Sequence, residues 1–494
     1  MAIKRYYATK DNTITNAFKS NLDTRGVSGN MGQSDILEVF SIYAQVSSST
    51  GLSSELARVL IEFDTTAINT DRTSGIIPAS GSVNFFLTMY DAEHTQTTPK
   101  DYTLVVSAIS QSWNEGLGLD MENYSDEDAS NWLSASNNVE WVDYASRLTP
   151  GGSYRTGSDA SPNEYTFTQS FDSGFENLEV DVSHLVEDWI SGDLSNYGFG
   201  VRLTADDETE EQSYYTKMFF ARGSQFFHKR PIIEARWDDS KKDNRGDFFL
   251  SSSLVPASDN LMNLYLYNVV RGELKDIPAI GTGNIFVNIY SGSSAPTGDK
   301  LSLPFGGGVN SPDTLTITGS HVETGIYSCS FAYASSSITK IFDVWNKDGI
   351  EYHTGSAVTV QTFNSQNYNF DQRYVSKVTN LRAVYNQGEK VRFRLYTRQK
   401  DWSPTIYTVA NNEIETSIID NAYYRFTRVS DNLEVIPFGT GSLNHTRLSY
   451  DASGSYFDLE MNLFDSDTVY ELSFSYLING SYVEQPERFR FRVE

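Results

Sequence analysis

The sequence predicts an all-β protein: one larger N-terminal sandwich, jelly-roll-like in its strand pattern, followed by two smaller tandem β-sandwich domains. Three observations predict it. Short runs that alternate apolar and polar residues recur along the whole chain, with Gly and Ser punctuating them. Aromatic residues make up 13% of the 494 residues, and 30 of them are Tyr, a residue type that suits a pleated, half-buried surface. The second half repeats itself at a nearly constant offset.

In order along the chain, "DILEVFSIYAQ" (35–45), "LARVLIEFD" (56–64), "SVNFFLTMYD" (82–91) and "YTLVVSAIS" (102–110) read as strands. Two-sheet packing buries them. "DVSHLVEDWISGD" interrupts with helical spacing. Ser183 is placed to cap that helix, Leu185, Val186, Trp189 and Ile190 form its apolar face, and Gly192 stops it. Strands resume at "YGFGVRLT", "YTKMFFAR" and "RPIIEARW". The polar run "DDSKKDNRGD" (238–247) has no apolar residue and marks a domain boundary. The domains expected are therefore 1–240, 248–370 and 374–494.

The division of the second half follows from four ordered signposts. Leu264-Tyr265-Leu266-Tyr267 matches Phe393-Arg394-Leu395-Tyr396 at an offset of 129, and Pro304-Phe305-Gly306 matches Pro437-Phe438-Gly439 at 133. Gly325-Ile326-Tyr327 matches Gly454-Ser455-Tyr456 at 129, and Asp348-Gly349 matches Asn479-Gly480 at 131. Collinear pairs with so little drift predict two copies of one domain.

In "GIYSCSFAY", Tyr327, Cys329, Phe331 and Tyr333 share one face, so Cys329 reads as a core residue. In the last copy Tyr470, Leu472, Phe474 and Tyr476 face inward. Asn479-Gly480 supplies a left-handed turn, and Phe489, Phe491 and Val493 return with Arg488, Arg490 and Arg492 outward. The stretch "ETGIYSC" resembles the tyrosine corner of immunoglobulin domains, which implies that both repeats are Ig-like. The partner cysteine of that family is missing, so the resemblance concerns architecture alone.

Charge and composition exclude several function classes. A net charge of −26 repels phosphate backbones and anionic lipid, and "FFHKRP" and "RFRFRVE" alternate like strands where a basic patch would cluster. Nucleic acid is therefore not an expected partner. Neither a signal-peptide h-region nor an apolar run long enough to span a membrane is present, so no membrane is expected either. With Cys329 as the single cysteine, folding in a reducing cytoplasm is the expectation.

Chemistry-bearing motifs are sparse, and no catalytic residue, cofactor or metal is expected. The six histidines, His94, His184, His228, His321, His353 and His445, never fall at i, i+4 spacing. "GVSGNMG", with Gly26, Gly29 and Gly32, lacks the lysine and following helix of a phosphate cradle, and reads as a glycine-rich turn. Acidic clusters are the strongest lead for an enzyme, since glycoside hydrolysis needs only two carboxylates. The candidates are Asp120, Asp126, Glu127 and Asp128, and the run 206–211; in a chain with 64 acids such clusters arise by chance. For calcium, Asp120, Glu122, Asp126 and Asp128 offer oxygen ligands without EF-hand spacing. "RGD" at Arg245 to Asp247 reads as coincidence.

One stretch stands apart: "SWNEGLGLDMENYSDEDASNWLSASNNVEW", 112–141, holds Trp113, Trp132 and Trp141 with almost no strand or helix period. A long insertion uses large rings to anchor itself on a sandwich. The alternative is that these rings contact a partner protein or a glycan.

Taken together, "ATKDNTITNAF", "RGVSGNMGQSDILEVF", "ARVLIEFD", "SWNEG" with "ASNWLSA" and Trp141, "VEDWISGDLSNYGFGVRL", and "KMFFARG" with "RPIIEARW" resemble the DNRLRE-type β-sandwich modules, relatives of carbohydrate-binding modules. Ala221 and Gly223 stand where such modules carry a more polar triplet. Followed by Ig-like repeats, the module is similar to structural proteins of tailed bacteriophages. That resemblance implies a non-enzymatic virion component at the neck, tail or capsid surface, bound to other virion proteins and to copies of itself in a symmetric assembly. The alternatives are a carbohydrate-binding adhesin or fibre that engages a host glycan, and a glycan hydrolase.

Overall fold

The computed structural model describes residues 2–49, 51–95, 97–126, 128–143, 145–158, 161–304, 309, 314–362, 371–401 and 416–494. The chain forms two compact units, Ala2–Asp238 and Asp239–Glu494. Both are β-sandwich structures, so the protein is all-β as its alternation predicts.

The first unit is built from β1 (Ile3–Thr15), β2 (Ile36–Ser48), β3 (Gly51–Phe63), β4 (Asn84–Met89), β5 (Tyr102–Ile109), β6 (Thr166–Phe171), β7 (Leu178–Asp181), β8 (Phe199–Leu203), β9 (Tyr214–Phe220) and β10 (Ile232–Arg236). β1 serves both sheets. Its first residues pair with β10, a bulge between Ala8 and Lys10 re-aims it, and its second half pairs with β3. One sheet runs β7-β4-β10-β1, the other β1-β3-β8-β5 with β6 outside, while β2 pairs the start of β3 and β9 pairs β2.

Alternation decides what lies between the sheets. On β3, Val59, Ile61 and Phe63 enter the main core with Leu104, Val106 and Ala108 of β5 and Phe85, Leu87 and Met89 of β4. Leu60 of β3 and Ile14 of β1 point to the opposite face, where a second apolar cluster forms. The predicted helix is present as Ser183–Ser191, burying Leu185, Val186 and Trp189 and ending on Gly192 at φ 84°. Its cap is not as expected: Val182 precedes the first turn without a side-chain cap bond. The Ser183 hydroxyl instead accepts from the Phe85 amide at 2.8 Å, which ties the helix to β4.

In the second unit, the strands of the first repeat lie in the spatial order Phe248–Phe249, Val358–Gln361, Lys340–Lys347, Ile285–Ser291, Ile317–Glu323, Ile326–Phe331, Met262–Tyr267. They close around a core that includes Leu264, Val287, Tyr327, Cys329, Phe331 and Trp345. Cys329 is buried there, and burial pushes its thiol well above the ordinary range. Tyr327 completes the corner anticipated from "ETGIYSC": its hydroxyl donates to the Gly281 carbonyl at 2.8 Å and accepts from the Ile277 amide at 3.1 Å.

The second repeat has two sheets. One is Tyr374–Val378, Lys390–Gln399, Gly454–Glu460, Ser449–Asp451; the other is Val384–Tyr385, Phe489–Val493, Thr468–Ile478, Ala422–Arg428, Glu434–Ile436. The signpost strands pair alike in both halves. Met262–Tyr267 runs antiparallel to Ile326–Phe331, and Lys390–Gln399 antiparallel to Gly454–Glu460. Phe305 and Gly306 of another signpost lie outside the described residues. Asp348-Gly349 (φ 52° and 79°) and Asn479-Gly480 (φ 50° and 80°) both turn left-handed hairpins. The hairpin after Asn479-Gly480 returns Ser481–Glu484, however, whereas Phe489–Val493 pairs along Thr468–Leu472 of the same long strand. The outward arginines meet acids across strands: Arg490 with Glu471 at 2.8 Å and Arg492 with Asp467 at 2.8 Å.

The polar run is not a free tether. From Asp239 onward it belongs to the second unit, where Asp243 and Asn244 are buried. Lys242 bridges Tyr450 of the second repeat, and the Asn244 amide donates to the Tyr450 hydroxyl at 3.2 Å. Arg245 forms a bidentate pair with Asp343 of the first repeat at 2.7 and 2.8 Å, and Phe248–Phe249 adds a parallel strand to Val358–Gln361. The "RGD" arginine is thus occupied inside the fold.

Candidate functional site

The insertion at 112–141 lies on the outer face of the sheet that contains β1, β3 and β5. Trp113, Trp132 and Trp141 form one cluster with Ile14, Leu60, Ile109 and Ala135, and they are 1%, 7% and 0% exposed. No ring face is offered for stacking on a sugar or a partner. The indole N–H of Trp113 donates to the Tyr197 carbonyl at 2.9 Å and that of Trp141 to the Asn131 carbonyl at 2.8 Å. Trp132 lies against Arg58, whose guanidinium is 5.2 Å from the ring and pairs with Glu208. Packing is therefore what these rings do. As partner or glycan contacts, Trp113, Trp132 and Trp141 are corrected: a loop without strand pairing needs apolar anchors, and it has used these.

Polar groups hold the rest of the loop. Asn30 donates to the carbonyls of Glu115 and Ser130 at 2.8 and 2.9 Å and accepts from the Gly118 amide at 2.8 Å. Any side chain at Gly118 would run into the Asn30 backbone, which is why a glycine stands there. Gly32 and, less tightly, Gly29 of the glycine-rich turn also lack room for a side chain, against Glu115 and Met121 respectively. Glu115 accepts the Asp11 amide at 2.8 Å and grips Arg222 through both oxygens at 3.0 and 2.8 Å. Arg222 sits between the residues expected to be more polar. Ala221 is buried in the core and Arg222 is the clasp, so in this chain the triplet works as structure.

Asp11 lies beneath that clasp, 1% exposed, accepting the Arg222 amide at 2.5 Å. Burial pushes its carboxyl up to about 7, against the pull of the Arg222 amide. The acids considered for calcium or glycoside chemistry do not converge. Asp120 accepts the amides of Glu122 and Asn123, Glu122 accepts from Ser20, and Asp126 accepts from Leu117 and Asp128. Glu127 lies outside the described residues. In the run 206–211, Asp206, Asp207 and Glu208 form a helical turn capped by Thr204, with Glu208 turned to Arg58. Among the described residues no group of three His, Cys, Asp or Glu side chains is placed to hold a metal ion.

Beside the tryptophan cluster a cleft of about 1020 Å³ opens, lined by Gln111, Asp143, Tyr154, Arg155, Asp193 and Tyr197 among others. It is at the upper end of the range for small-molecule sites. Tyr154 forms part of its floor. Its hydroxyl donates to the Gly151 carbonyl at 2.8 Å, Arg202 stacks on its ring at 4.5 Å, and burial pushes its pKa up, so it stays protonated. Asp143 is held below the usual carboxylate range by the Arg147 amide. These groups come from separate loops with no shared motif, and no sequence signal marks them. Trp113 and Trp141, which support the cleft from beneath, are the nearest signpost.

No protein-family model matches the chain, and no curated protein does. Solved structures that match include a marsupial T cell receptor at 8% identity, covering 50% of this chain and 71% of that one, with a TM-score of 0.16. The N-terminal Ig1-2 module of a Drosophila receptor protein tyrosine phosphatase matches at 9% identity over 48% and 91%, with a TM-score of 0.15. Alpha-2-macroglobulin of E. coli matches at 10% identity over 98% of this chain and 28% of that one, with a TM-score of 0.16. At such scores these likenesses carry no argument about activity.

Other candidate residues are accounted for singly. His321 bonds Asp276 at 3.1 Å, and His184 stacks on Tyr165 and lies 3.8 Å from both Glu164 and Asp188, a grouping not placed to hold a metal ion. A buried cation went unseen in "YTKMFFAR": Lys217 is 1% exposed, pairs with Asp91 and donates to the carbonyls of Gly174 and Glu176 at 2.8 and 2.9 Å.

Proposed function

We propose that the chain is a non-enzymatic structural protein of a tailed-bacteriophage virion, a neck, tail-associated or capsid-decorating component that acts through protein–protein contacts. The observation that carries the structural half of this reading is the segment Lys241–Leu250. It is hydrogen-bonded and ion-paired to the first Ig-like repeat and hydrogen-bonded to the second, and so ties the two together. Sandwiches coupled in this way suit a part that joins or decorates a larger assembly. The phage assignment is supported by the resemblance of the first 240 residues to DNRLRE-type modules together with the Ig-like repeats that follow them. Mass spectrometry of purified particles of the encoding phage tests it: the chain is expected at a stoichiometry that is a multiple of the particle's symmetry, and its absence from particles rejects the reading.

The cleft beside the tryptophan cluster favours a second reading, a carbohydrate-binding role. Its size, with Tyr154 and Tyr197 among polar side chains, suits a saccharide of a few rings. A glycan array probed with the parent and with Tyr197→Ala checks it, and a signal lost in the variant is the expected outcome.

A further inference from the structure

A second concavity in the first unit, about 340 Å³, lies apart from the tryptophan loop's cleft. Glu38, Phe40 and Ile42 reach it from one strand, as i, i+2, i+4 positions that share a face. Phe18, Met121 and Tyr215 complete its walls, and Glu55 lies at its back. The two acids differ. Glu55 is fully buried and satisfied: it accepts the Phe18 amide at 2.8 Å and the Ser53 hydroxyl at 3.3 Å, and the Gln45 amide, turned toward it, donates at 3.0 Å. Glu38 uses its backbone N–H on the Thr13 hydroxyl, but its carboxylate meets no hydrogen-bond donor or cation among the described residues. Arg25, stacked on Phe18 at 4.4 Å, donates through Nη1 to the carbonyls of Asn16 and Ser54.

We propose that this groove captures one arginine or lysine side chain of a partner protein, with the alkyl stem on Phe40, Ile42 and Met121 and the charge at Glu38. The Glu38 side chain is half-buried, and its carboxylate, partly shielded from water and without a cation, is best met by an incoming cation that reaches the same depth. Burial has already raised the Glu38 pKa, in keeping with an unmet charge. The volume is at the small end of ligand sites, room for one side chain and not for a chain of sugar rings. With Phe18 taken by Arg25, the exposed Tyr215 ring is the wall that adds cation–π attraction. Charge complementarity then selects the partner: a chain of net charge −26 repels a second copy and draws a basic surface.

This inference rests on the reading of the chain as one that acts through protein contacts, and it can fail alone, since the particle could contain the chain whatever the groove binds. Methyl-resolved NMR of the full chain, observing Ile42 and Met121, provides the test. N-acetyl-arginine amide is the probe and its neutral isostere, N-acetyl-citrulline amide, the control. Arginine is expected to shift both methyls with a midpoint of about 10 mM, and citrulline to bind at least about tenfold more weakly. Glu38→Gln should lose the arginine response while leaving the melting temperature at or above that of the parent, because it removes a half-buried charge that has no partner, so loss of fold does not confuse the outcome. Equal shifts by citrulline, an unchanged response in Glu38→Gln, or shifts produced only by an oligosaccharide would each overturn the proposal.

Discussion

Asp11 and Glu234 are two buried carboxylates with opposite consequences for stability. Asp11 has a folded pKa of about 7, above its ordinary value, so between roughly pH 4 and 7 the folded chain binds the proton that the unfolded chain has released. Its contribution is favourable at low pH and is lost as pH rises through 7. Asp11→Asn keeps an acceptor for the Arg222 amide without the charge. Thermal unfolding should therefore show the variant's advantage over the parent growing from pH 5 to pH 8, reaching about 1–3 kcal/mol; a difference independent of pH would contradict it. Glu234 is the reverse case. Burial would raise its pKa, but Arg5 and Arg236, each 2.6 Å away, outweigh burial and hold it at about 2. Its contribution is present above the unfolded pKa and fades as pH falls toward 2. Glu234→Gln removes the carboxylate that Arg5 and Arg236 share, although Arg236 keeps its pair with Glu179, and should cost about 3–5 kcal/mol at neutral pH in urea unfolding.

At the scale of elements, what was legible in the sequence is what local period encodes. Strands such as Tyr102–Ile109 and the helix Ser183–Ser191 follow from spacing, and Cys329 follows from alternation into a core strand. The tryptophan insertion has no period, so its composition could show that it must anchor but not where. The anchors, Asn30 on Gly118 and Glu115 on Arg222, join residues 88 and 107 positions apart, and no local pattern records such pairs. The same limit hid the helix cap, because Ser183 serves β4 and not its own first turn. Two substitutions separate the loop's apolar and polar supports. Trp141→Ala should cost about 3–5 kcal/mol, as expected for an emptied aromatic site. Gly118→Ala forces the loop off Asn30 and should speed hydrogen exchange within 112–141 while leaving the strand amides of β3 and β5 protected. Uniform loss of protection in both variants would mean that the loop and sandwich open together.

For the molecule's second half, the question is what makes two repeats behave as one compact unit. A run of ten residues without an apolar side chain reads as a flexible boundary because nothing in it can be buried for hydrophobic gain. The fold instead buries it for its polar groups. Asp343 is fully buried and holds Arg245 through both oxygens while accepting the Trp345 indole N–H at 2.6 Å, and Asn244 reaches Tyr450 in the other repeat. Arg245 therefore supplies the charge that makes Asp343 tolerable, and the chain on either side of it is fixed to both repeats as a consequence. Arg245→Ala should strand a buried carboxylate and cost about 3–5 kcal/mol. Hydrogen exchange should rise across 241–250, and small-angle scattering of the full chain should show a broader distance distribution as the two repeats gain freedom. Adding Asp343→Asn to Arg245→Ala removes the stranded charge, so it should restore much of the lost stability while the distance distribution stays broad. That split is the decisive result: recovery of both properties together would mean that the pair contributes only stability, and that backbone pairing alone at Lys242 and Phe248 holds the repeats in register.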